Sequence, residues 1–184
     1  IELPNAENVT FVASESDPSV YYFLDKQGVD YRPAIWKINV EKGKLLASWK
    51  WNGDRNEGHR NLDTRRISGE TNGHFTVTCE AQTIVIDAKT LEEMQSITLT
   101  SPSKFGISSC ADAVLCKDKI IALDNDYDYN YNLGQIKLLD ASRVQPVETF
   151  GNATINTQYS LALTGKVACS PDESRFVIAE ADNM

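Results

Sequence analysis

One phrase recurs three times along this 184-residue chain: an apolar strand that ends on Asn or Asp and then turns. It reads Ile35-Trp36-Lys37-Ile38-Asn39-Val40-Glu41-Lys42-Gly43-Lys44, then Thr83-Ile84-Val85-Ile86-Asp87-Ala88-Lys89-Thr90-Leu91, then Gln135-Ile136-Lys137-Leu138-Leu139-Asp140-Ala141-Ser142-Arg143-Val144. Asn39 and Asp87 stand 48 residues apart, and Asp87 and Asp140 stand 53 apart. A period of about 40–50 residues fits one four-stranded sheet per repeat, a unit that must stack on its neighbours to bury its faces.

The intervals between the phrases carry the alternation and the β-branched and aromatic enrichment of short strands, without the 3.6-residue period of a helix. Expected strands fall at 9–14, 20–24, 34–40 and 46–51; at 65–68, 75–79, 83–87 and 94–99; and at 107–116, 120–123, 135–140 and 147–150. The run 107–116 breaks near Ala111-Asp112, and a fourth set opens with 166–169 and 175–180. Turn chemistry agrees with this division. Ser16-Asp17-Pro18-Ser19 and Ser170-Pro171-Asp172-Glu173-Ser174 separate the first two strands of a set, and Glu41-Lys42-Gly43-Lys44, Ala88-Lys89-Thr90 and Ala141-Ser142-Arg143 separate the last two.

The expected fold is all-β: a β-propeller of four-stranded antiparallel blades, with three complete blades at 9–51, 65–99 and 107–150 and part of a fourth at 166–184, all one segment spanning 1–184. A blade hides both faces, so its strands carry consecutive apolar residues such as Val20-Tyr21-Tyr22-Phe23-Leu24 and Ile84-Val85-Ile86. Trp36, Trp49 and Trp51 are expected between blades. An open stack exposes its end faces, so the remaining blades of a six- to eight-bladed ring are expected outside this sequence.

Ile86-Asp87-Ala88-Lys89-Thr90 and Leu139-Asp140-Ala141-Ser142-Arg143 resemble the end of the third strand in WD40 and related YVTN-type propellers. Ser170-Pro171-Asp172-Glu173 is similar to that family's Ser-Pro-Asp-Gly turn. The resemblance covers most of the chain at the level of pattern. It departs where Ile38, Ile86 and Leu139 stand in place of the family's Trp and where Asn39 replaces Asp, and neither Gly58-His59 nor Gly73-His74 clearly matches the family's Gly-His position. What the resemblance implies is a rigid ring whose second-to-third-strand and interblade connections emerge on one face.

The long connections are of those two kinds: 25–33 and 124–134 within blades, and 52–64 between blades. Long loops on a rigid scaffold carry function more often than tight turns do. The expected function is therefore a non-enzymatic protein-protein interaction scaffold that holds a protein or peptide partner on the long-loop face. Its candidate anchors are Tyr31, Arg32, Arg55, Arg60, Tyr127, Tyr129 and Tyr131. The stretch 52–66 concentrates arginines suited to carboxylates or phosphates, alongside Asp54, Glu57 and Asp63, which can neutralise them.

Asp124, Asp126, Asp128 and Asn130 alternate along one stretch and would suit calcium if the loop curls, although Tyr129 and Gln135 depart from the calcium-hand pattern. No other cofactor is expected, and no catalytic residue is assigned: a Gly-x-Ser-x-Gly elbow is absent, and His59 and His74 lack a nucleophile motif. The rival readings are a ligand- or metal-binding enzymatic propeller, lactonase-like or quinoprotein-like, and a secreted or surface adhesion propeller.

Composition narrows the partners. With 18 basic against 26 acidic residues the formal charge is −8, which argues against nucleic acid, and no apolar run is long enough for a membrane span. Cys79, Cys110, Cys116 and Cys169 show no Cys-x-x-Cys pairing and are expected as reduced core residues. Asn8-Val9-Thr10 and Asn152-Ala153-Thr154 would be glycosylated only in a secreted protein, and an intracellular setting is favoured.

Overall fold

The computed structural model of the protein describes residues 8–28, 32–52, 65–79, 82–98, 108–117, 119–128, 131–140, 146–150 and 166–179. Among the described residues every regular element of length is a strand, with no α-helix. The first sheet runs β1 (Val9–Ala13), β2 (Val20–Asp25), β3 (Ala34–Asn39), β4 (Lys44–Lys50) in chain order. The second is β5 (Arg66–Ile67), β6 (His74–Cys79), β7 (Gln82–Asp87), β8 (Glu93–Thr98), and the third is β9 (Ser108–Cys116), β10 (Lys119–Asp128), β11 (Tyr131–Asp140), β12 (Pro146–Phe150). β13 (Lys166–Cys169) and β14 (Phe176–Ala179) form a two-stranded antiparallel sheet.

The repeated phrase holds one register position in each complete sheet. Asn39 pairs with Val20, Asp87 with His74 and Asp140 with Lys119, each joining the last residue of a third strand to the first of a second strand. Just before that position the pairing to the fourth strand slips in all three sheets, between Lys37 and Ile38, Val85 and Ile86, and Leu138 and Leu139. Each slip leaves one fourth-strand residue unopposed: Leu46, Met94 or Val147. A bulge of this kind sharpens the local twist, and its recurrence gives the outer strands a common shape.

The sheets pack face to face in chain order. Val20, Tyr22, Leu24, Ile35, Trp49 and Trp51 of the first share a core with Ile67, Phe75, Val77, Cys79, Ile84 and Ile86 of the second. The Tyr22 and Phe75 rings lie 4.8 Å apart, and the Tyr22 hydroxyl donates to the Ala88 carbonyl at 3.0 Å. Indole groups add two further crossings, Trp49 Nε1 to Glu93 Oε1 at 2.9 Å and Trp51 Nε1 to Gln82 Oε1 at 3.0 Å.

The opposite face of the second sheet turns Val85 and Ile97 toward Ala113, Ile120 and Ala122, and the Thr76 hydroxyl donates to the Ala113 carbonyl. Val114, Cys116 and Ile121 on the far face of the third sheet meet Val167 on β13. Fully burying a Phe, Ile or Leu side chain contributes about 1.5–3 kcal/mol, against about 1 kcal/mol for a typical hydrogen bond. The interblade faces therefore outweigh the turns in holding the stack. This is the arrangement of consecutive propeller blades, as the repeat implies.

Two expectations need correction. Cys116 and Cys169 form a disulfide, with Cα atoms 5.6 Å apart, while Cys79 is a buried thiol outside that bond. The pair joins the last residues of β9 and β13, which lie side by side in successive sheets. Alternation within one strand gives no hint of that contact.

Residues 124–128 and 131–134, expected as part of a loop, are strand. Asp124 pairs with Gln135, Asp126 with Leu133 and Asp128 with Tyr131, so the ladder continues in register as far as that last pair. Trp36 pairs with Phe23 and Ser48, whereas Trp49 pairs with Ile35. Because directly paired residues share a face, Trp36 stands on the side of the first sheet away from the second. Trp49 and Trp51 are interblade core as expected.

Candidate partner interface

One end of the stack is built of tight turns whose carboxylates and amides are used internally. Asp17 Oδ1 accepts the Ser19 amide at 2.9 Å and its hydroxyl at 2.7 Å. Asp172 Oδ1 accepts the Ser170 hydroxyl at 2.6 Å, and its Oδ2 accepts the Ser174 hydroxyl at 2.8 Å. These bonds hold the Asp172 carboxyl down at about 2 and lower that of Asp17. First-to-second-strand turns of three blades also meet here. Glu15 accepts the Asn72 amide at 3.0 Å, Glu70 accepts the Glu15 amide at 3.0 Å, and the Asn72 side chain donates to Glu173.

The other end carries the longer connections. Asp25, buried at the end of β2, accepts the amides of Gln27 at 3.1 Å and Gly28 at 2.8 Å and so starts the turn. Gly28 has φ +50°, and a Cβ there would lie 1.7 Å from the Arg32 carbonyl oxygen, so no side chain is accommodated. The Trp51 amide donates to the Pro33 carbonyl at 3.0 Å, tying the return of this connection to the end of the first sheet. Buried Arg65, at the exit of the interblade connection, donates from Nη1 to the Lys26 carbonyl at 2.6 Å. Two connections of different kinds are thereby joined at one end.

The sequence-derived anchors distribute unevenly over this end. Arg32 is half-buried beside Gly28. Tyr127 and Tyr131 lie next to the tip of the β10–β11 hairpin, where Tyr127 pairs with Asn132 and Tyr131 with Asp128. Tyr31, Arg55, Arg60, Tyr129 and Asn130 lie outside the described residues. Asp124, Asp126 and Asp128 follow a paired strand rather than a curled loop. Among the described residues no group of three or more His, Cys, Asp or Glu is placed to hold a metal ion, and no helix is long and apolar enough to cross a membrane.

A charged cluster at the inner strands was not legible in the sequence. Asp112 on β9 is buried and accepts the Val167 amide at 3.0 Å. Burial raises its carboxyl above the ordinary range, opposed by the Val167 bond and by the charges of Lys166 and Arg66. Lys166 is pressed down by burial, although it remains solvent-accessible. Asp112 supports its charge, and the nearby cations Arg66 and Lys26 press it down further. Lys26, Arg66, Asp112 and Lys166 come from four successive blades, so no local motif could announce them. The only signal was the break near Ala111-Asp112, where the β9–β10 register indeed shifts.

Stacked four-stranded sheets and a loop-bearing end define this protein as a β-propeller segment. No family model matches the chain, and no curated protein matches it. Among solved structures, BamB from Moraxella catarrhalis is similar with a TM-score of 0.47 and 10% identity, over 80% of this chain and 40% of that one. Hsv2 from Kluyvelomyces marxianus is similar with a TM-score of 0.33 and 10% identity, over 95% of this chain and 55% of that one. The chain thus spans less than two thirds of the length of either.

Proposed function

We propose that the protein is a non-enzymatic, WD40-like interaction scaffold that binds a protein partner at the long-connection end. The observation that carries this reading is the Arg65 bond to the Lys26 carbonyl, which fastens an interblade connection to a within-blade connection. A surface assembled from both kinds of loop on packed blades is preorganised, which lowers the entropy cost of binding. Tyr127 and Tyr131 beside the β10–β11 tip, with Tyr129 between them, supply large side chains with polar handles.

Affinity capture with quantitative mass spectrometry tests the reading, comparing wild type, Tyr127→Ala/Tyr129→Ala and a Glu15→Gln control at the tight-turn end. Loss of a specific partner in the tyrosine variant alone supports it. Equal capture by all three overturns it.

The remaining blades belong to the same proposal. In register, Tyr21, Phe23 and Trp36 of the first sheet correspond to Phe75, Val77 and Ile84 of the second. The latter three are buried against the preceding blade. On the first sheet the equivalent face carries a Phe11–Tyr21–Phe23 aromatic cluster, with Phe11 62% exposed. A further blade supplies cover for this face, which no described residue of another sheet packs against.

A second reading, the secreted or surface adhesion propeller, is favoured by the Cys116–Cys169 disulfide, because such bonds persist in oxidising compartments. Non-reducing peptide mapping of protein from its native source distinguishes the two settings. A linked Cys116–Cys169 peptide supports the oxidising one, and free thiols at both positions contradict it.

A further inference from the structure

We infer that the Cys116–Cys169 disulfide is a redox-operated latch between the third sheet and the β13–β14 pair, opened by a thiol reductant that enters at Cys169. The latch goes beyond the scaffold reading and does not depend on it. β9 and β13 lie side by side and are joined at two levels. At one, buried Asp112 accepts the Val167 amide at 3.0 Å; at the other, the disulfide links the last residues of the two strands. Between them lies a short apolar seam in which Val114, Cys116 and Ile121 meet Val167 and half-buried Cys169. The first seam, by contrast, is filled by Tyr22, Trp49, Trp51 and Phe75. Among the described residues less apolar surface holds β13 to the third sheet, so more of that closure rests on the covalent bond.

The two sulfurs differ in access. Cys116 is 7% exposed and Cys169 is half-buried, so an incoming thiolate meets Cys169 first. Its sulfur bonds to Cys169 Sγ, the Cys116–Cys169 bond breaks, and the electron pair leaves with Cys116. A second thiol then displaces Cys169 from the mixed disulfide. The protein gains two electrons and two protons, and the reductant leaves as its own disulfide. Cys116 Sγ lies 3.8 Å from the Glu173 carbonyl oxygen and 3.7 Å from that of Arg175, so the new S–H has acceptors where it forms.

The turn that supplies those acceptors also favours release. Glu173 has φ +54° and stands where the resembled Ser-Pro-Asp-Gly turn has Gly. Lys117, next to Cys116, has φ +60°. The closed seam thus holds non-glycine backbone in the left-handed region on both sides of the bond, and cutting the bond lets it relax. Because the Glu173 side chain accepts from Asn72, opening also frees the β13–β14 turn from the inner turns of the earlier blades.

Hydrogen exchange read by mass spectrometry on the whole chain tests the latch, comparing mildly oxidised protein, the same protein reduced with dithiothreitol, and Cys116→Ser/Cys169→Ser. Amides of 166–179 should exchange about ten-fold faster or more after reduction, while Val20–Asp25 and His74–Cys79 stay protected over the same minutes. The double variant should match reduced wild type with or without dithiothreitol, and reoxidation of wild type should restore slow exchange. Brief glutathione treatment, acid quench and peptide mapping should place the mixed disulfide on Cys169. Equal exchange of 166–179 in the oxidised and reduced protein, loss of protection in all sheets together, or glutathione on Cys116 instead of Cys169 overturns the inference. So does a chain whose Cys116 and Cys169 stay free thiols after oxidation.

Discussion

Asn39 and Asp87 close equivalent turns from the same register position, one with an amide oxygen and the other with a carboxylate. Asn39 Oδ1 accepts the Lys42 amide at 2.9 Å. Asp87 Oδ1 accepts the amides of Lys89 at 2.9 Å and Thr90 at 2.7 Å, and the Thr90 hydroxyl at 3.0 Å. The repeated residue is therefore a turn-former whose side chain satisfies backbone donors just beyond the third strand. Asn substitutes for Asp because the acceptor oxygen, rather than the charge, is the common requirement.

Replacing Asp87 with Ala removes three accepted hydrogen bonds and should lower stability by about 1–2 kcal/mol, with Asp87→Asn costing less. Urea unfolding measures both. Equal stability of Asp87→Ala and wild type would separate the repeat from turn formation.

Phe75 fills the interface between the first two blades and is almost fully buried, so Phe75→Ala should cost about 3–5 kcal/mol. Tyr22→Phe should cost much less, near the lower end of about 0.5–1.5 kcal/mol. The reason is that the Ala88 carbonyl, which accepts from Tyr22, also accepts from Lys37 Nζ at 2.8 Å and keeps a partner. Denaturant melts of the two variants give the ratio, and a Tyr22→Phe loss as large as that of Phe75→Ala would contradict this packing.

The Cys116–Cys169 bond spans 53 residues of chain, and closing a loop of that size stabilises a protein by about 2–4 kcal/mol. Cys116→Ala/Cys169→Ala should show that loss in urea, and addition of a phosphine reductant should shift wild type but not the variant. A wild-type curve indifferent to reductant would contradict the pairing.

Acid sensitivity should come from the turn carboxylates. The Asp172 carboxyl is held at about 2, and those of Asp17 and Asp87 are also lowered, so each folded-state pKa lies below its unfolded value. Their stabilisation is present above the unfolded value near 4 and is lost as pH falls through the folded one. Buried Asp112 has the opposite sign: its pKa is raised, so its contribution declines as pH climbs past the unfolded value. In thermal melts from pH 6 to pH 2, the difference between wild type and Asp172→Asn should shrink toward pH 2. A difference that grows toward pH 2 would contradict the sign.

The blade repeat was legible because its signals are local. Turn acids, alternation and the break at Ala111-Asp112 each lie within a few residues of the feature they cause. The hairpin beyond Leu123 was not legible, because Asp, Asn and Tyr in alternation read as a polar loop, while continuous ladder pairing with β11 carries them as strand. The disulfide and the Lys26, Arg66, Asp112 and Lys166 cluster were invisible for a different reason. Their members belong to different blades, and only the stacking of sheets brings them together.

Stacking in this order is the central claim, and a nuclear Overhauser measurement between the rings of Tyr22 and Phe75 tests it most directly. With ring centroids 4.8 Å apart across the first interblade interface, strong ring-to-ring cross-peaks are the expected result. Complete assignment of both rings in the folded protein without such cross-peaks would contradict the account.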